Sequence, residues 1–138
     1  GVPNGELVRL CYSGKYTEKE MIKQLVGKAG FNAYCGSNDA RDIEAMAKNG
    51  DKHAQLVFDA FLYQVSKDIG AQAAVLSGKV DQIILTGGIA YGKYATEEIT
   101  KRVKFIAPVT VYGGEDELLA LAQGALRVLN GEEEAKVY

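Results

Sequence analysis

A pair of glycines, Gly87 and Gly88, lies one residue after the largely apolar run at residues 82–85 and is well suited to bind a phosphate or a ribose. Glycine lets a ligand approach the backbone because no Cβ stands in the way, so the backbone N–H groups can donate to the ligand. Ligands of open α/β sheets bind beyond the carboxyl ends of strands. The residues predict a nucleotide-binding loop, and the alternative is a turn whose glycines only let the next helix pack closely.

A second polar cluster contains Asp39 and Arg41 and follows the short segment 30–36. An arginine can clamp a phosphate or stack on a base, and an aspartate can accept a hydrogen bond from a ribose or an adenine. In the structural alternative, Asp39 caps a helix and Arg41 lies on the surface. The residues alone leave both interpretations open.

Three consecutive acids, Glu115, Asp116 and Glu117, could hold Mg²⁺, because that ion commonly uses one or two carboxylates together with substrate phosphates. The alternative is the acidity that is common at the start of a helix. His53, the only histidine, has no serine, cysteine or metal-ligand partner at usable spacing, so we predict a structural or exposed position. Lys93 could reach a phosphate, although lysines beside glycine loops are frequent.

Two strands are predicted to position the glycine loops. Residues 82–85 contain two β-branched isoleucines and show no alternation, which indicates a strand covered on both faces. Residues 107–112 form the second strand, which the glycine pair 113–114 ends. Helices are predicted to open at Thr96 and at Glu115. Both loops should lie at the same edge of a parallel sheet, whose open edge implies further sequence or another subunit.

A helical block precedes this unit. Thr17 and Glu20 form a capping box for a helix that runs to about residue 28, and Asp51 caps a long helix that runs to about residue 76. Residues 6–12 fit a short strand or the start of a helix. The faces predicted to be buried are Met21, Ile22, Leu25 and Val26 on the first helix, and Leu56, Val57, Ala60, Phe61, Val65, Ile69 and Ala73 on the long one.

Length, charge and composition limit the class of protein. With 138 residues the chain is the size of one domain. Its net charge is -2 and its acidic and basic residues are interspersed, so the sequence shows no basic patch of the kind that binds nucleic acid or anionic lipid. Two cysteines suggest no disulfide framework and favour a reducing cytosol. No apolar run is long enough to span a membrane. Neither GxGxxG nor a P-loop motif occurs, which disfavours a nicotinamide-binding domain.

Four blocks together resemble the acetate and butyrate kinase family, and within it the carboxyl-terminal part of the butyrate kinases. In order they are SGKYT at 13–17, NDAR at 38–41, ILTGGIAY at 84–91 and GEDELLALA at 114–122. The resemblance implies a fold of the sugar kinase, heat-shock protein and actin superfamily. For this chain it implies a partial ribonuclease H-like α/β domain, helix-rich, with a thin, mostly parallel sheet that lacks its first strands.

The resemblance also implies an activity and a set of partners. The family transfers phosphate reversibly between ATP and a short carboxylate such as butyrate, giving ADP and the acyl phosphate. It implies a cytoplasmic enzyme that is usually a homo-oligomer and needs Mg²⁺.

Residues of the family's site are carried over by position. The implied nucleotide-binding residues are Asp39, Ala40, Arg41, Gly87, Gly88, Ile89 and Gly92. Glu117 aligns with the family's metal-associated glutamate, with Glu115 as the fallback within the acidic run. Gly92 stands where acetate kinases carry an asparagine, so a side-chain contact with the nucleotide is not expected there.

The family's amino-terminal domain, phosphate loops, catalytic arginine and catalytic histidine are expected to precede Gly1. The chain is then the carboxyl-terminal nucleotide-binding part, residues 1–138, of a two-domain acyl kinase. We expect it to be inactive alone, since phosphoryl transfer depends on positioning and charge stabilisation. The alternative is a self-associating interaction module whose glycine turns only pack helices.

Overall fold

The computed structural model describes residues 3–114 and 117–135. The chain forms two compact units, Gly1–Asp68 and Ile69–Tyr138. The elements of the first unit are α1 Asn4–Cys11, α2 Glu18–Lys23, a π-helical turn Gln24–Lys28, α3 Phe31–Cys35, α4 Ala40–Lys48 and most of α5 Lys52–Val75. Those of the second are β1 Ile83–Leu85, a 3-10 turn Gly88–Tyr91, α6 Lys93–Val103, β2 Val109–Val111 and α7 Glu117–Leu129.

Two helix starts of the first unit follow the predicted capping signals. The Glu20 N–H donates to Thr17 Oγ1 at 3.4 Å, and the Thr17 N–H donates to Glu20 Oε2 at 2.8 Å, which completes the capping box. Asp51 Oδ1 accepts from the N–H groups of His53 and Ala54 at 2.9 and 3.0 Å. Both caps are confirmed.

The amino-terminal segment is a helix. Of the two interpretations of residues 6–12, the helix is right and the strand is wrong, because these residues belong to α1 almost throughout. Arg9 Nη1 and Glu6 Oε1 form an ion pair at 2.5 Å. Residues three positions apart are neighbours on a helix surface, so this pair stabilises α1.

The apolar face predicted for the second helix is mostly uncovered. Met21 is buried, but Ile22, Leu25 and Val26 are exposed, so the prediction is wrong for three of the four residues. The helix changes to a π-helical turn at Gln24–Lys28. Within the described residues no element covers Ile22, Leu25 and Val26, and helical spacing alone does not reveal whether such a partner is present.

The long helix α5 buries a different stripe from the predicted one. Its buried residues recur every fourth position and are Ala54, Phe58, Leu62 and Ser66. The predicted stripe is wrong, since Leu56 is 67% exposed, Ala60 is also exposed, and its other five members are only half-buried. Apolar side chains occur on more than one side of α5, so periodicity alone does not determine which side meets the core.

The second unit contains the predicted parallel strands. Ile83 pairs with Val109, and Leu85 pairs with Val111. The Ile83 N–H donates to Pro108 O at 2.9 Å, which extends the ladder to the residue before β2. The predicted strands and their parallel arrangement are confirmed.

The first strand is covered on one face only. Ile83 is buried, whereas its neighbour Ile84 is 60% exposed, so the prediction of a strand covered on both faces is wrong for the described residues. The buried side chains of α6 are Ala95, Ile99 and Val103. By contrast, α7 leaves its large apolar side chains exposed, Leu118 among them.

The helix after the glycine loop begins three residues before the predicted start. Gly92 is the N-cap of α6, and its carbonyl oxygen accepts from the Thr96 N–H at 3.0 Å. Thr96 Oγ1 donates to the carbonyl oxygens of Gly92 and Lys93 at 3.1 and 3.0 Å, so Thr96 lies inside the first turn. The prediction of Thr96 as the cap is wrong because Gly92 already begins the ladder.

Candidate functional site

The loops that leave the two strands are joined to each other. The Gly87 N–H donates to Gly114 O at 3.3 Å, and the Gly114 N–H donates to Gly87 O at 3.4 Å. Thr86 Oγ1 also donates to Gly114 O at 3.3 Å. The prediction that both glycine loops lie at the same edge of the sheet is confirmed.

Gly87 has a structural reason to be glycine. Its φ of 80° and ψ of -172° lie in a region that is essentially restricted to glycine. Its carbonyl oxygen accepts from the Ala90 N–H at 3.1 Å, which turns the chain from β1 into the 3-10 turn. Gly87 therefore shapes the loop.

Gly88 differs from its neighbour. Its φ lies outside the left-handed region, and a Cβ added there would meet no heavy atom of the described chain within 4 Å. Neither backbone strain nor packing within the described residues therefore requires glycine. The N–H groups at the start of a helical turn have no partner within the turn. The open space over Gly88 fits a ligand that contacts the backbone directly.

The rest of the loop places Ile89, Gly92 and Lys93. Ile89 is half-buried, and its carbonyl oxygen accepts from the Gly92 N–H at 3.0 Å. Lys93 is exposed, and its Nζ lies 3.8 Å from Glu97 Oε1 on the same helix. Gly87, Gly88, Ile89 and Gly92 thus belong to one continuous segment that begins after β1.

Asp39 and Arg41 form a compact pair at the start of α4. Asp39 Oδ1 accepts from the Arg41 N–H at 2.9 Å and from Arg41 Nε at 3.0 Å, while Oδ2 accepts from Arg41 Nη2 at 2.5 Å. These side-chain hydrogen bonds, with the backbone one, lower the pKa of Asp39 to about 2. The structure thus confirms Asp39 as a helix cap, whereas its nucleotide contact stays a prediction.

The pair is also available to a ligand. The Arg41 side chain is 80% exposed, so a planar cation held by a carboxylate faces solvent. A guanidinium held in this way can stack on an aromatic base. Ala40, half-buried, separates the two residues in the sequence. Asp39, Ala40 and Arg41 belong to the first unit, and the glycine loop belongs to the second.

The predicted metal ligands fall at the edge of what the structure describes. Glu115, Asp116 and the side chain of Glu117 lie outside the described residues, so the assignment of Mg²⁺ to Glu117 or Glu115 stays a prediction. Within residues 3–114 and 117–135, no three His, Cys, Asp or Glu side chains cluster as a metal site would require. His53 Nε2 lies 3.2 Å from the carbonyl oxygen of Tyr34, which agrees with the structural position predicted for it.

One residue of the loop was not predicted to have a role. The ring of Tyr91 lies against the backbone of Gly113 and Gly114 in the loop after β2. An aromatic residue in one glycine loop and a glycine pair in the other are the only sequence signals of this contact. These signals can be interpreted only when the structure shows that the parallel strands bring the two loops together.

The model of the Acetokinase family matches residues 8–134. This chain belongs to the acetokinase family. Butyrate kinase 2 of Clostridium acetobutylicum is 61% identical over 137 residues, which cover 99% of this chain and 38% of that protein. A probable butyrate kinase of Clostridium botulinum is 55% identical over 99% of this chain and 39% of its own length. The chain thus spans less than two-fifths of these relatives, and the resemblance found in the sequence is confirmed.

A solved structure of the family has the same fold. The crystal structure of Porphyromonas gingivalis acetate kinase matches with a TM-score of 0.67 and 30% identity, over 77% of this chain and 27% of that one. The predicted fold class, a helix-rich α/β fold of the actin-like ATPase type, is therefore confirmed. Among the helices described, none combines the length and the apolar character needed to cross a membrane.

Proposed function

We propose that this chain is the carboxyl-terminal, nucleotide-binding part of a two-domain kinase that transfers phosphate reversibly between ATP and butyrate or a similar short carboxylate. Membership of the acetokinase family and similarity to butyrate kinases over nearly the whole chain support the proposal. The observation that carries it is the place of Gly88, which begins the 3-10 turn after β1, where backbone N–H groups have no partner within the turn and an added Cβ would meet nothing within 4 Å.

The glycine loop is proposed to contact the nucleotide through its backbone. Gly87 provides the turn, and Gly88 and Ile89 then present their backbone beside the adenosine. Gly92, as the N-cap of α6, ends the segment without a side chain. This arrangement orders the contact before the ligand arrives, which lowers the entropy lost on binding.

The start of α4 is proposed to hold the adenine and the ribose. Asp39 holds the Arg41 guanidinium through the hydrogen bonds described above, so the cation is already oriented for stacking. All four hydrogen bonds that the structure gives this carboxylate come from Arg41, so Asp39 acts here by orienting the guanidinium. Ala40, which lies between these two residues in the sequence, is proposed to belong to the same contact.

Mg²⁺ is proposed to be held by Glu117, with Glu115 as the fallback. When bound, the ion neutralises charge on the transferring phosphates. The cofactors are accordingly ATP, ADP and Mg²⁺, and the second substrate is a small carboxylate.

The amino-terminal domain and the phosphate loops are proposed to lie in sequence beyond this chain. The exposed Ile84 on β1 and the exposed leucines of α7, such as Leu118, support this, because large apolar faces are normally covered. The whole enzyme is proposed to be cytoplasmic and homo-oligomeric. The 138-residue chain alone should lack kinase activity.

Two proteins test the proposal, namely the longer protein encoded by the gene and the 138-residue chain. With ATP, Mg²⁺ and butyrate, the longer protein should form an acyl phosphate that hydroxylamine traps as the hydroxamate, and the chain alone should form none. Acetate, propionate and valerate in the same assay define the preferred carboxylate. Absence of acyl phosphate from the longer protein with every carboxylate would reject the proposal.

A self-associating interaction module remains the second candidate, and one observation favours it. An apolar groove of about 730 Å³ runs along α5 in the first unit, with Phe31, Tyr34, Leu56 and Phe61 in its lining. Self-association is expected of both candidates, so ADP calorimetry on the longer protein separates them. A kinase binds ADP, whereas a module whose glycine turns only pack helices does not.

A further inference from the structure

The Tyr91 ring spans the two loops at the carboxyl edge of the sheet. Tyr91 ends the 3-10 turn that Gly88 begins, so it belongs to the loop after β1. A Cβ built on Gly113, in the loop after β2, would lie 3.0 Å from Tyr91 Cδ1 and 3.1 Å from Cε1. A Cβ on Gly114 would collide with the Tyr91 hydroxyl oxygen. The ring therefore rests on glycine backbone that has room for it only because both side chains are absent.

The contact accounts for Gly113 in particular. Gly113 has no left-handed φ, so its backbone conformation does not require glycine, whereas Gly114 has a φ of 108° and requires glycine on that ground as well. A Cβ on Gly113 would come closer to the Tyr91 ring than ordinary packing allows, so the ring occupies space that only glycine leaves free. Tyr91 is 73% exposed, so it is not a core residue. A large side chain that is exposed and still closely fitted on one edge points to a role in holding the loops.

Three ties then connect the loops. The paired hydrogen bonds of Gly87 with Gly114 form the first, and the bond from Thr86 Oγ1 to Gly114 O forms the second. The Tyr91 ring forms the third, and it acts at the far end of the 3-10 turn from Gly87. Gly88 lies between these ends, so ties on both sides restrict its backbone.

We propose that Tyr91 is a positioning residue that holds the loop after β1 against the loop after β2, and thereby fixes the Gly88 backbone where the nucleotide meets it. The inference rests on the proposed function, since it specifies how the nucleotide loop is held. Tyr91 is assigned no contact with the reacting atoms. Its ring acts through Gly113 and Gly114.

The test compares ADP binding by calorimetry to the longer protein and its Tyr91→Ala and Tyr91→Phe variants. Small displacements of positioning groups have large effects, so Tyr91→Ala should weaken ADP binding about tenfold or more. Tyr91→Phe keeps the ring and should bind ADP within about twofold of the parent. Tyr63→Ala removes another exposed tyrosine, on α5, and should leave ADP affinity unchanged.

A second variant keeps the inference testable where Tyr91→Ala alters folding. Gly113→Ala forces the ring away while Tyr91 is retained, and it should weaken ADP binding by a similar factor. Gly113→Ala combined with Tyr91→Ala should bind no more weakly than either single variant, because both changes remove the same contact. Melting temperatures measured in parallel confirm that each titration is performed on folded protein.

The outcomes separate the inference from the function on which it rests. If the parent binds ADP and Tyr91→Ala binds it equally well, the positioning role is rejected and the proposed function stands. Additive effects of Gly113→Ala and Tyr91→Ala would also reject the role. If the parent does not bind ADP, the proposed function itself is rejected.

Discussion

The N–H of Gly87 donates to the carbonyl oxygen of Gly114, and the N–H of Gly114 donates back to the carbonyl oxygen of Gly87. The loops after the two parallel strands therefore continue the contact that the strands begin. In this geometry the chain turns at Gly87 and leaves Gly88 exposed immediately afterwards. The two adjacent glycines thus have different reasons to be glycine, and substitutions at the two positions should have different consequences.

Replacing Gly87 by alanine should destabilise the protein. Its φ of 80° and ψ of -172° are strained for any residue with a Cβ, and such strain costs about 1–3 kcal/mol. Urea denaturation of parent and variant measures the loss in the free energy of unfolding. An unchanged free energy of unfolding would show that the loop does not require glycine at this position.

Gly70→Ala is the matched control for a glycine substitution. Gly70 lies inside α5, has no left-handed φ, and has no atom within 4 Å of an added Cβ. Alanine is favoured over glycine inside a helix, so the variant should be more stable by about 0.5–1 kcal/mol. The same denaturation series thus contains a glycine that should lose stability and one that should gain it.

Arg41→Gln should raise the pKa of Asp39. The Arg41 hydrogen bonds lower that pKa from 3.8 to about 2, so removal of the guanidinium should return it towards 3.8. A lowered folded-state pKa contributes stability that is present above the unfolded value of 3.8 and is lost as pH falls towards 2. The parent should therefore lose this contribution between these pH values, and the variant should lack most of it.

Carbon-detected NMR titration of the Asp39 carboxyl group measures this change. Arg9→Gln is the control, because Arg9 is also an exposed arginine but pairs with Glu6. The Asp39 pKa should be the same in that variant as in the parent. An equal Asp39 pKa in the parent and in Arg41→Gln would contradict the pairing described here.

Thr17→Ala should weaken the start of α2. The substitution removes the hydroxyl that accepts from the Glu20 N–H, and loss of such a cap costs about 0.5–2 kcal/mol. The pKa of Glu20 is lowered mainly by its hydrogen bond from the Thr17 backbone, with the hydroxyl as the second cause, and it should rise in the variant. Thr17→Ser keeps the cap, and a loss of stability in that variant equal to that in Thr17→Ala would reject the capping explanation.

Local signals explain why part of the fold could be predicted from sequence. The capping box at Thr17 and Glu20, the cap at Asp51 and the two short strands depend on neighbouring residues and hydrogen bonds. The residues that specify each of these features lie within a few positions of one another in the sequence. The parallel arrangement then follows from the need to place two strand–loop–helix units side by side.

Burial could not be predicted in the same way, because it depends on partners. Apolar spacing shows which side chains share a face, but it does not show whether another element covers that face. Ile84, Leu56 and Val26 were expected to be covered, and all three are exposed in the described structure. The prediction that Thr96 caps α6 was wrong for a different reason. The chain passes from the 3-10 turn directly into the helix at Gly92.

The candidate site was predicted only where a residue type reveals its role. The glycine loop and the Asp39 and Arg41 pair are visible in the sequence, and the structure describes the geometry of both. Tyr91 was assigned no role, because its contact with Gly113 joins residues more than twenty positions apart. The acidic run remains a sequence-based prediction for the metal.

The most direct test of the nucleotide site is ADP calorimetry on the longer protein and its Gly88→Ala variant. The structure has room for the new methyl group, so stability should change little. Overpacking a close contact costs roughly 1–3 kcal/mol, so ADP affinity should fall by about five- to 150-fold. A fall in ADP affinity with unchanged stability is the predicted result. Equal ADP affinity in the parent and in Gly88→Ala would contradict the account.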